Sequence, residues 1–411
     1  MNSIEIEQRY GIPFCKRQAL CIVRGDGNRV WDSEGREYLD FSSGWGVTSL
    51  GHCHPLIQQA LKEQAGLLMQ NPNSGFTYSP ARAALMQRLA PQLPSPLTHM
   101  YFVNSGAEAN DAAIKMARKI TGRTGIVSTL RSFHGRTLNT LSASGSSAAA
   151  QLHKPWFPAN RFVPYDDLPA MDSAIDAQTA AVIVEPIQGE GGIRLPDPGY
   201  LSAVQRLCRA RGALLIVDEI QTGICRSGSL FAVDQCQPAV EPDMMTLGKG
   251  LGGGFPFAAL LMSGACAGQV QPGDHGGTYC GNPLGCAVAT AVLDYLLAEN
   301  VASRVAAMGV VLGNQLARLG AEYPEIIVEQ RGRGLLQALQ LTDDETVQTL
   351  SEACLRQGLM LIPTRNGVLR LLPSLLVSEA EIDEAMDKLA RALAAVRARE
   401  ITLDCCASDS A

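Results

Sequence analysis

Three clusters of residues carry groups able to do chemistry, and each directly follows an apolar run. Lys249 stands in Thr246-Leu247-Gly248-Lys249-Gly250-Leu251-Gly252-Gly253-Gly254 and is the only charged residue between Met244 and Gly264. Its glycine neighbours leave the amine open on both sides, and burial would lower its pKa enough to make it a nucleophile; the alternative is a solvated loop lysine. The spacing is not that of a P-loop, which requires G-x-x-x-x-G-K-[ST]. Asp218 and Glu219 close the run Leu215-Ile216-Val217, where two carboxylates are costly unless something pairs with them. Strand alternation puts Asp218 and Ile220 on one side and Glu219 on the other. Asp218 could then grip a protonated ring nitrogen while Ile220 covers the ring face, and an ordinary strand-end ion pair is the other reading. Asn104-Ser105-Gly106-Ala107 follows Met100–Val103. A helix opening on Ser and Gly offers free N–H groups, a positive dipole end and a hydroxyl to an anion such as phosphate. A simple capped helix would look the same.

The elements that must position these groups are legible in the apolar pattern. Met100–Val103 reads as a buried strand, and a helix from about Ser105 carries Ala109, Ala112, Ala113, Met116, Ala117 and Ile120 at three- and four-residue spacings. Ser105 and Glu108 fit a capping box. Further buried strands are expected at Ile126–Leu130, Ala181–Val184 and Ala213–Val217. Continuous apolar strands separated by helices imply an α/β fold whose parallel sheet is covered on both faces, with ligands beyond the carboxyl ends of its strands. From Pro283 to about Gly320 the pattern is one long helical stretch, broken at Tyr323-Pro324. Beyond it, Glu325–Glu329 and Val368–Leu372 read as strands and Ala380–Arg397 as a helix. The expected division is a segment 1–48 packed on the smaller domain, a large domain 49–300, a smaller α+β domain 301–400, and a frayed tail 401–411.

Composition excludes several function classes. A chain of 411 residues allows two or three structural units and buries enough surface to need no disulfide or metal staple. A net charge of −6 gives no basic surplus for phosphate backbones, so nucleic acid is not an expected partner. The first residues show no basic-then-apolar signal, and no run of about 18 uncharged apolar residues would span a membrane. The 12 cysteines are scattered singly apart from Cys405-Cys406 and form no C-x-x-C pair, which suits thiols in a reducing, cytoplasmic compartment. His52-Cys53-His54 has the composition of a metal cluster, but adjacent residues do not easily converge on one ion, and no metal is expected.

The segments NSGAEANDAAIKMAR, SFHGRT, EPIQGEGG, VDEIQTG, LGKGLGGGFP and HGGTYCGNP occur in the order found in class III pyridoxal-phosphate aminotransferases. The chain resembles that family from LGHCHP near residue 50 to VLRLLPSL near residue 370, and within it is most similar to the acetylornithine and ornithine aminotransferases. The resemblance implies fold type I and pyridoxal 5'-phosphate as cofactor. It implies that Lys249 forms the Schiff base with the cofactor and then shuttles a proton, while Asp218 keeps the pyridine nitrogen protonated. Phe133 and Ile220 would cover the two ring faces, and Gln221 would bond the ring hydroxyl. Ser105, Gly106 and Ala107 would hold the phosphate, with Thr278 reaching in from a second copy in a homodimer. Arg136 and Arg370 resemble the family's carboxylate binders, and two such forks predict the dicarboxylates glutamate and 2-oxoglutarate. Glu190 resembles the glutamate that pairs with the second arginine while an ω-amino substrate is bound.

The sequence also departs from the pattern. Trp45 and Thr48 replace the Ile and Asn usual in acetylornithine enzymes, and Phe76-Thr77 stands where a Tyr pair is usual. Trp45 is expected to line the substrate entrance, where an aromatic would favour a shorter or less polar amine such as 4-aminobutyrate or putrescine; packing within the N-terminal segment is the alternative. An aminomutase of the same architecture has no evident need for Arg136, Arg370 and Glu190 together. A non-catalytic phosphate-binding protein leaves Lys249 and Asp218 unexplained.

Overall fold

The computed structural model describes residues 2–15, 17–145 and 160–408. Its centre is a seven-stranded sheet in the order Leu97–Val103, Ala258–Ser263, Met244–Leu247, Leu214–Asp218, Thr179–Val184, Gly125–Thr129, Asn160–Val163. Only Ala258–Ser263 runs against its neighbours; the other pairings are parallel. The strands Gly125–Thr129, Thr179–Val184, Met244–Leu247 and Ala258–Ser263 are buried along their whole length, as continuous apolar runs require when helices cover both faces. The four strands expected from apolar runs are all present, with ends shifted by at most three residues.

The helix Gly106–Thr121 begins as its sequence predicts. Ser105 is the N-cap, its hydroxyl accepts from Glu108 N, and the Glu108 carboxylate reaches back in a capping box. The long helical stretch after Pro283 is two helices, Pro283–Ala298 and Val301–Glu322, bent by 71°. Asn300 makes the break in the left-handed region at φ 46°, a conformation that Asn tolerates better than most residues. Among the described residues, no single helix is long and apolar enough to cross a membrane.

Two smaller sheets complete the molecule. In one, Ile22–Asp26, Arg29–Asp32 and Glu37–Asp40 form a meander to which Leu359–Met360 adds in parallel, so an early and a late part of the chain share a sheet. In the other, Ile327–Arg333, Leu336–Leu341, Val368–Leu371 and Ile362–Thr364 are antiparallel, with Arg370 paired on one side to Ala338 and on the other to Ile362. The last helix spans Glu379–Ser408, so the segment expected to fray continues the helix through residue 408; residues 409–411 lie outside the described part. No Gly or Pro interrupts the sequence from Ala380 to Ser408, and a helix has no local reason to stop there.

Candidate active site

The carboxyl ends of the central strands converge on a cavity of about 270 Å³. Gly106, Ala107, Phe133, His134, Gly135 and Arg136 line it with Glu185, Glu190, Asp218, Ile220, Gln221 and Lys249. Gly106 is required for this convergence: a Cβ there would lie 2.6 Å from Ile220 Cδ1. Lys249 opens the short turn Lys249–Gly252 in the left-handed region at φ 43°. Burial lowers the pKa of its amine, with Glu190 opposing and Arg370 assisting that shift. A left-handed, non-glycine residue at the mouth of a strand is a strained arrangement of the kind found at functional sites.

Asp218 sits in a polar network at the back of the cavity. Its Oδ2 accepts from Asn110 Nδ2 and from His134 Nδ1, each at 2.7 Å. Its Oδ1 accepts from Ile220 N at 3.1 Å, with Thr246 Oγ1 at 3.5 Å. Asn110 also donates to His134 O at 2.8 Å and accepts from Thr246 Oγ1 at 2.8 Å. Burial opposes charge on His134, but the hydrogen bond and charge of Asp218, with Glu185 beyond, outweigh it and raise the imidazole pKa. Asp218 and Ile220 do share a side, though not by strand alternation. The strand ends at Asp218, and its carboxylate folds the chain back in a turn by holding Ile220 N. Glu219 lies apart, buried and held by Thr222 Oγ1 and by Val233 N at 2.8 Å.

At one side of the cavity Arg370, fully buried on the strand Val368–Leu371, pairs through Nη1 with Glu190 Oε1 at 2.8 Å. Glu190 is presented by a hairpin in which Gln188 and Arg194 exchange backbone hydrogen bonds, and the hairpin docks on the small antiparallel sheet where Arg331 Nε donates to Gly192 O at 2.7 Å. The indole of Trp45 lies against the Arg370 guanidinium, with 5.1 Å between Cζ and the ring centroid. Arg136 approaches Phe133 in the same way, at 5.8 Å.

Ser105 and Thr278 do not line this cavity, and for Thr278, expected to serve the site of a second copy, that is no departure. Ser105 is exposed and does not line the cavity; its N–H donates to Glu108 Oε2 at 3.1 Å and its hydroxyl caps the helix, so the phosphate-type cradle narrows to the first-turn N–H groups of Gly106 and Ala107. Thr278 lines a second cavity of about 590 Å³, together with Phe76, Tyr101 and His275. His52 and His54 do not converge either: His52 Nε2 pairs with Asp40 Oδ2 at 2.7 Å, and His54 caps the helix Pro55–Leu67.

Asn110 and Glu185 were not read from the sequence, although each left a signal. Asn110 is a polar residue on the otherwise apolar face of the helix Gly106–Thr121. Glu185 follows Thr179–Val184 just as Asp218 ends Leu214–Asp218, one strand away. Burial pushes the Glu185 carboxyl up to about 7, with His134 lowering it and Asp218 raising it.

Comparison with known proteins accords with this geometry. The family model described as "Aminotransferase class-III" matches residues 14–393. An acetylornithine aminotransferase from Methanopyrus kandleri is 40% identical over 396 residues, covering 96% of this chain and 100% of that protein. One from Thermosynechococcus vestitus is 41% identical, covering 92% and 93%. Among solved structures, the ornithine aminotransferase of Toxoplasma gondii superposes with a TM-score of 0.90 at 34% identity, covering 96% of this chain and 95% of that one. A match over almost the whole length, a mostly parallel sheet and a lysine–aspartate site at its strand ends lead to one conclusion: this chain belongs to the class III aminotransferases.

Proposed function

We propose that this aminotransferase takes the terminal amino group of a diamino-acid-type donor, N-acetylornithine or ornithine, and delivers it to 2-oxoglutarate in a ping-pong cycle on pyridoxal 5'-phosphate, leaving a semialdehyde and glutamate. The observation that carries the reading is the Glu190–Arg370 ion pair beside Lys249 and Asp218 in one cavity. The cavity suits the cofactor: Gln221 Nε2 and His134 Nε2 are buried there without partners among the described residues, and backbone N–H groups face it at a helix start. When bound, pyridoxal phosphate supplies a conjugated electron sink for bond cleavage at the amine-bearing carbon.

The chain's own groups do the rest. Asp218, held in place by His134 and Asn110 at Oδ2 and by Ile220 N at Oδ1, would keep a bound ring nitrogen protonated. Ile220 and Phe133 would cover the faces of a bound ring, and Gln221 Nε2 would donate to its hydroxyl. Lys249 Nζ would hold the cofactor covalently, and as a free amine it would serve as the base and acid that moves a proton at the amine-bearing carbon. The lowered pKa keeps that amine able to accept. While Glu190 neutralises Arg370, a terminal amine can approach; with the pair open, Arg370 takes one carboxylate of 2-oxoglutarate and Arg136 the other.

A second copy of the chain completes the site on this reading. Leu67, Met69, Phe76, Tyr78 and Tyr279 are large apolar side chains left exposed, Phe76 at 94%, which is the composition of a covered face rather than a wet one. The partner's Thr278 would then reach the phosphate. Residues 49–300 act as the cofactor-binding unit, and residues 301–400, joined by 1–48, carry Arg370. The free cysteines fit a cytoplasmic setting. The test is a single-turnover screen of acetylornithine, ornithine, succinylornithine, 4-aminobutyrate and putrescine, followed by cofactor absorbance. Fastest conversion by acetylornithine or ornithine, reversed by 2-oxoglutarate, is expected. A faster reaction with 4-aminobutyrate or putrescine, or no reversal, overturns the assignment.

A further inference from the structure

Ser43, Gly44, Trp45 and Gly46 have φ values of 45°, 57°, 69° and 82°, a continuous left-handed turn that holds a tryptophan where glycine would be at ease. The surroundings impose it. Asp40 Oδ1 accepts from Ser42 N at 2.8 Å, Ser42 Oγ at 2.6 Å and Ser43 N at 3.2 Å, while its Oδ2 is tied to His52. On the other side, a Cβ at Gly46 would touch Leu372 Cδ2 at 3.2 Å, so the turn is pressed against the residue two beyond Arg370. What the turn delivers is the Trp45 indole, half exposed, with its ring beneath Cζ of a guanidinium that is fully buried and whose Nε and Nη2 have no partner among the described residues. A buried cation so sparsely bonded depends on its one carboxylate, Glu190, and on whatever covers its face.

We propose that Trp45 is a specificity-determining positioning residue: it clamps Arg370 in its Glu190-paired position and so tilts the enzyme toward ω-amino donors and away from dicarboxylates. The proposal rests on the Glu190–Arg370 pair acting as the switch between those substrate classes. Moving Arg370 onto a substrate carboxylate costs the pair with Glu190 and disturbs the stacking, so removing the indole makes Arg370 easier to recruit. A stacked cation at a half-exposed site is worth a severalfold change in an equilibrium.

The test uses the holoenzyme and four variants: Trp45→Ala, Trp45→Phe, Glu190→Gln and the double Trp45→Ala/Glu190→Gln. Two measurements are made, KM for the amino donor and for 2-oxoglutarate, and the Kd of glutarate, an unreactive dicarboxylate, by fluorescence quenching. Trp45→Ala is expected to tighten glutarate and lower KM for 2-oxoglutarate about threefold while raising KM for the donor. Trp45→Phe should restore part of each change, and the indole should have no further effect once Glu190 is gone. If Glu190→Gln leaves glutarate unchanged, the switch reading itself fails. If Glu190→Gln tightens glutarate but Trp45→Ala does not, or Trp45→Ala acts equally in the Glu190→Gln background, Trp45 merely lines the entrance and the proposal is overturned.

Discussion

Asn110→Ala probes the network that holds the aspartate. Asn110 is fully buried and makes three hydrogen bonds of 2.7–2.8 Å, one of them to the Asp218 carboxylate. A bond to a charged group is worth roughly 2 kcal/mol and a neutral one roughly 1 kcal/mol, so deletion should destabilise the protein by about 4 kcal/mol. Some recovery is available, because Thr246 Oγ1 already lies 3.5 Å from Asp218 Oδ1 and can turn toward it; a loss of about 3 kcal/mol is the expected value. Urea unfolding of the cofactor-free protein, with wild type alongside, measures it. Asp218 keeps His134, so cofactor affinity should fall only about tenfold, read by titrating the variant with pyridoxal phosphate and following absorbance. A stability change below about 1 kcal/mol together with unchanged cofactor affinity would show that the network does not hold Asp218, and the reasoning would be wrong.

Other consequences are as open to measurement. Gly135 has φ 137°, and a Cβ there would meet Thr140 Oγ1 at 2.6 Å and Ala107 Cβ at 2.7 Å, so Gly135→Ala should displace the helix start and weaken cofactor binding by at least tenfold in the same titration. Arg136→Ala should raise KM for 2-oxoglutarate about thirtyfold, the value of roughly 2 kcal/mol for a charged hydrogen-bonded contact, and affect a simple monoamine far less; equal effects on both refute the carboxylate role. The pH dependence has a definite sign. Burial holds Glu185 and Glu219 at about 7 against an ordinary 4.5, so between those values the folded chain keeps protons that the unfolded chain releases. Stability present below pH 4.5 is therefore lost as pH rises through about 7, by up to roughly 3 kcal/mol per group. The urea midpoint of the cofactor-free protein should decline from pH 5 to pH 8, and a rise over that range would contradict the burial of these carboxyls.

Much of the site was legible because its residues break the pattern around them. Lys249 and Asp218 are charges ending apolar runs, and Ser105 with Glu108 is a local capping signal; such features depend on near neighbours in the chain. Four of the seven strands of the central sheet were legible for the same reason, as uninterrupted apolar segments. Asn110 and Glu185 broke their patterns too, yet their meaning lay in each other's company and in that of His134. Local spacing also left some details open. It offered the Ser105 N–H to an anion, and the structure engages that N–H with Glu108 in the capping box. It ran one helix through Asn300, where a single left-handed residue turns the chain by 71°.

The amino-acid sequence by itself determined four central strands, the capped start of the helix at Ser105 and the candidates for the reactive groups, since these follow from burial, periodicity and capping within a few residues. Only the tertiary structure decided that Arg370 meets Glu190 across 180 positions, that Trp45 is bent in a left-handed turn to cover it, and that His134 and Asn110 share one oxygen of Asp218. Such meetings depend on which strand lies beside which and on the few ångströms by which loops overhang them. No periodicity along the chain encodes that distance.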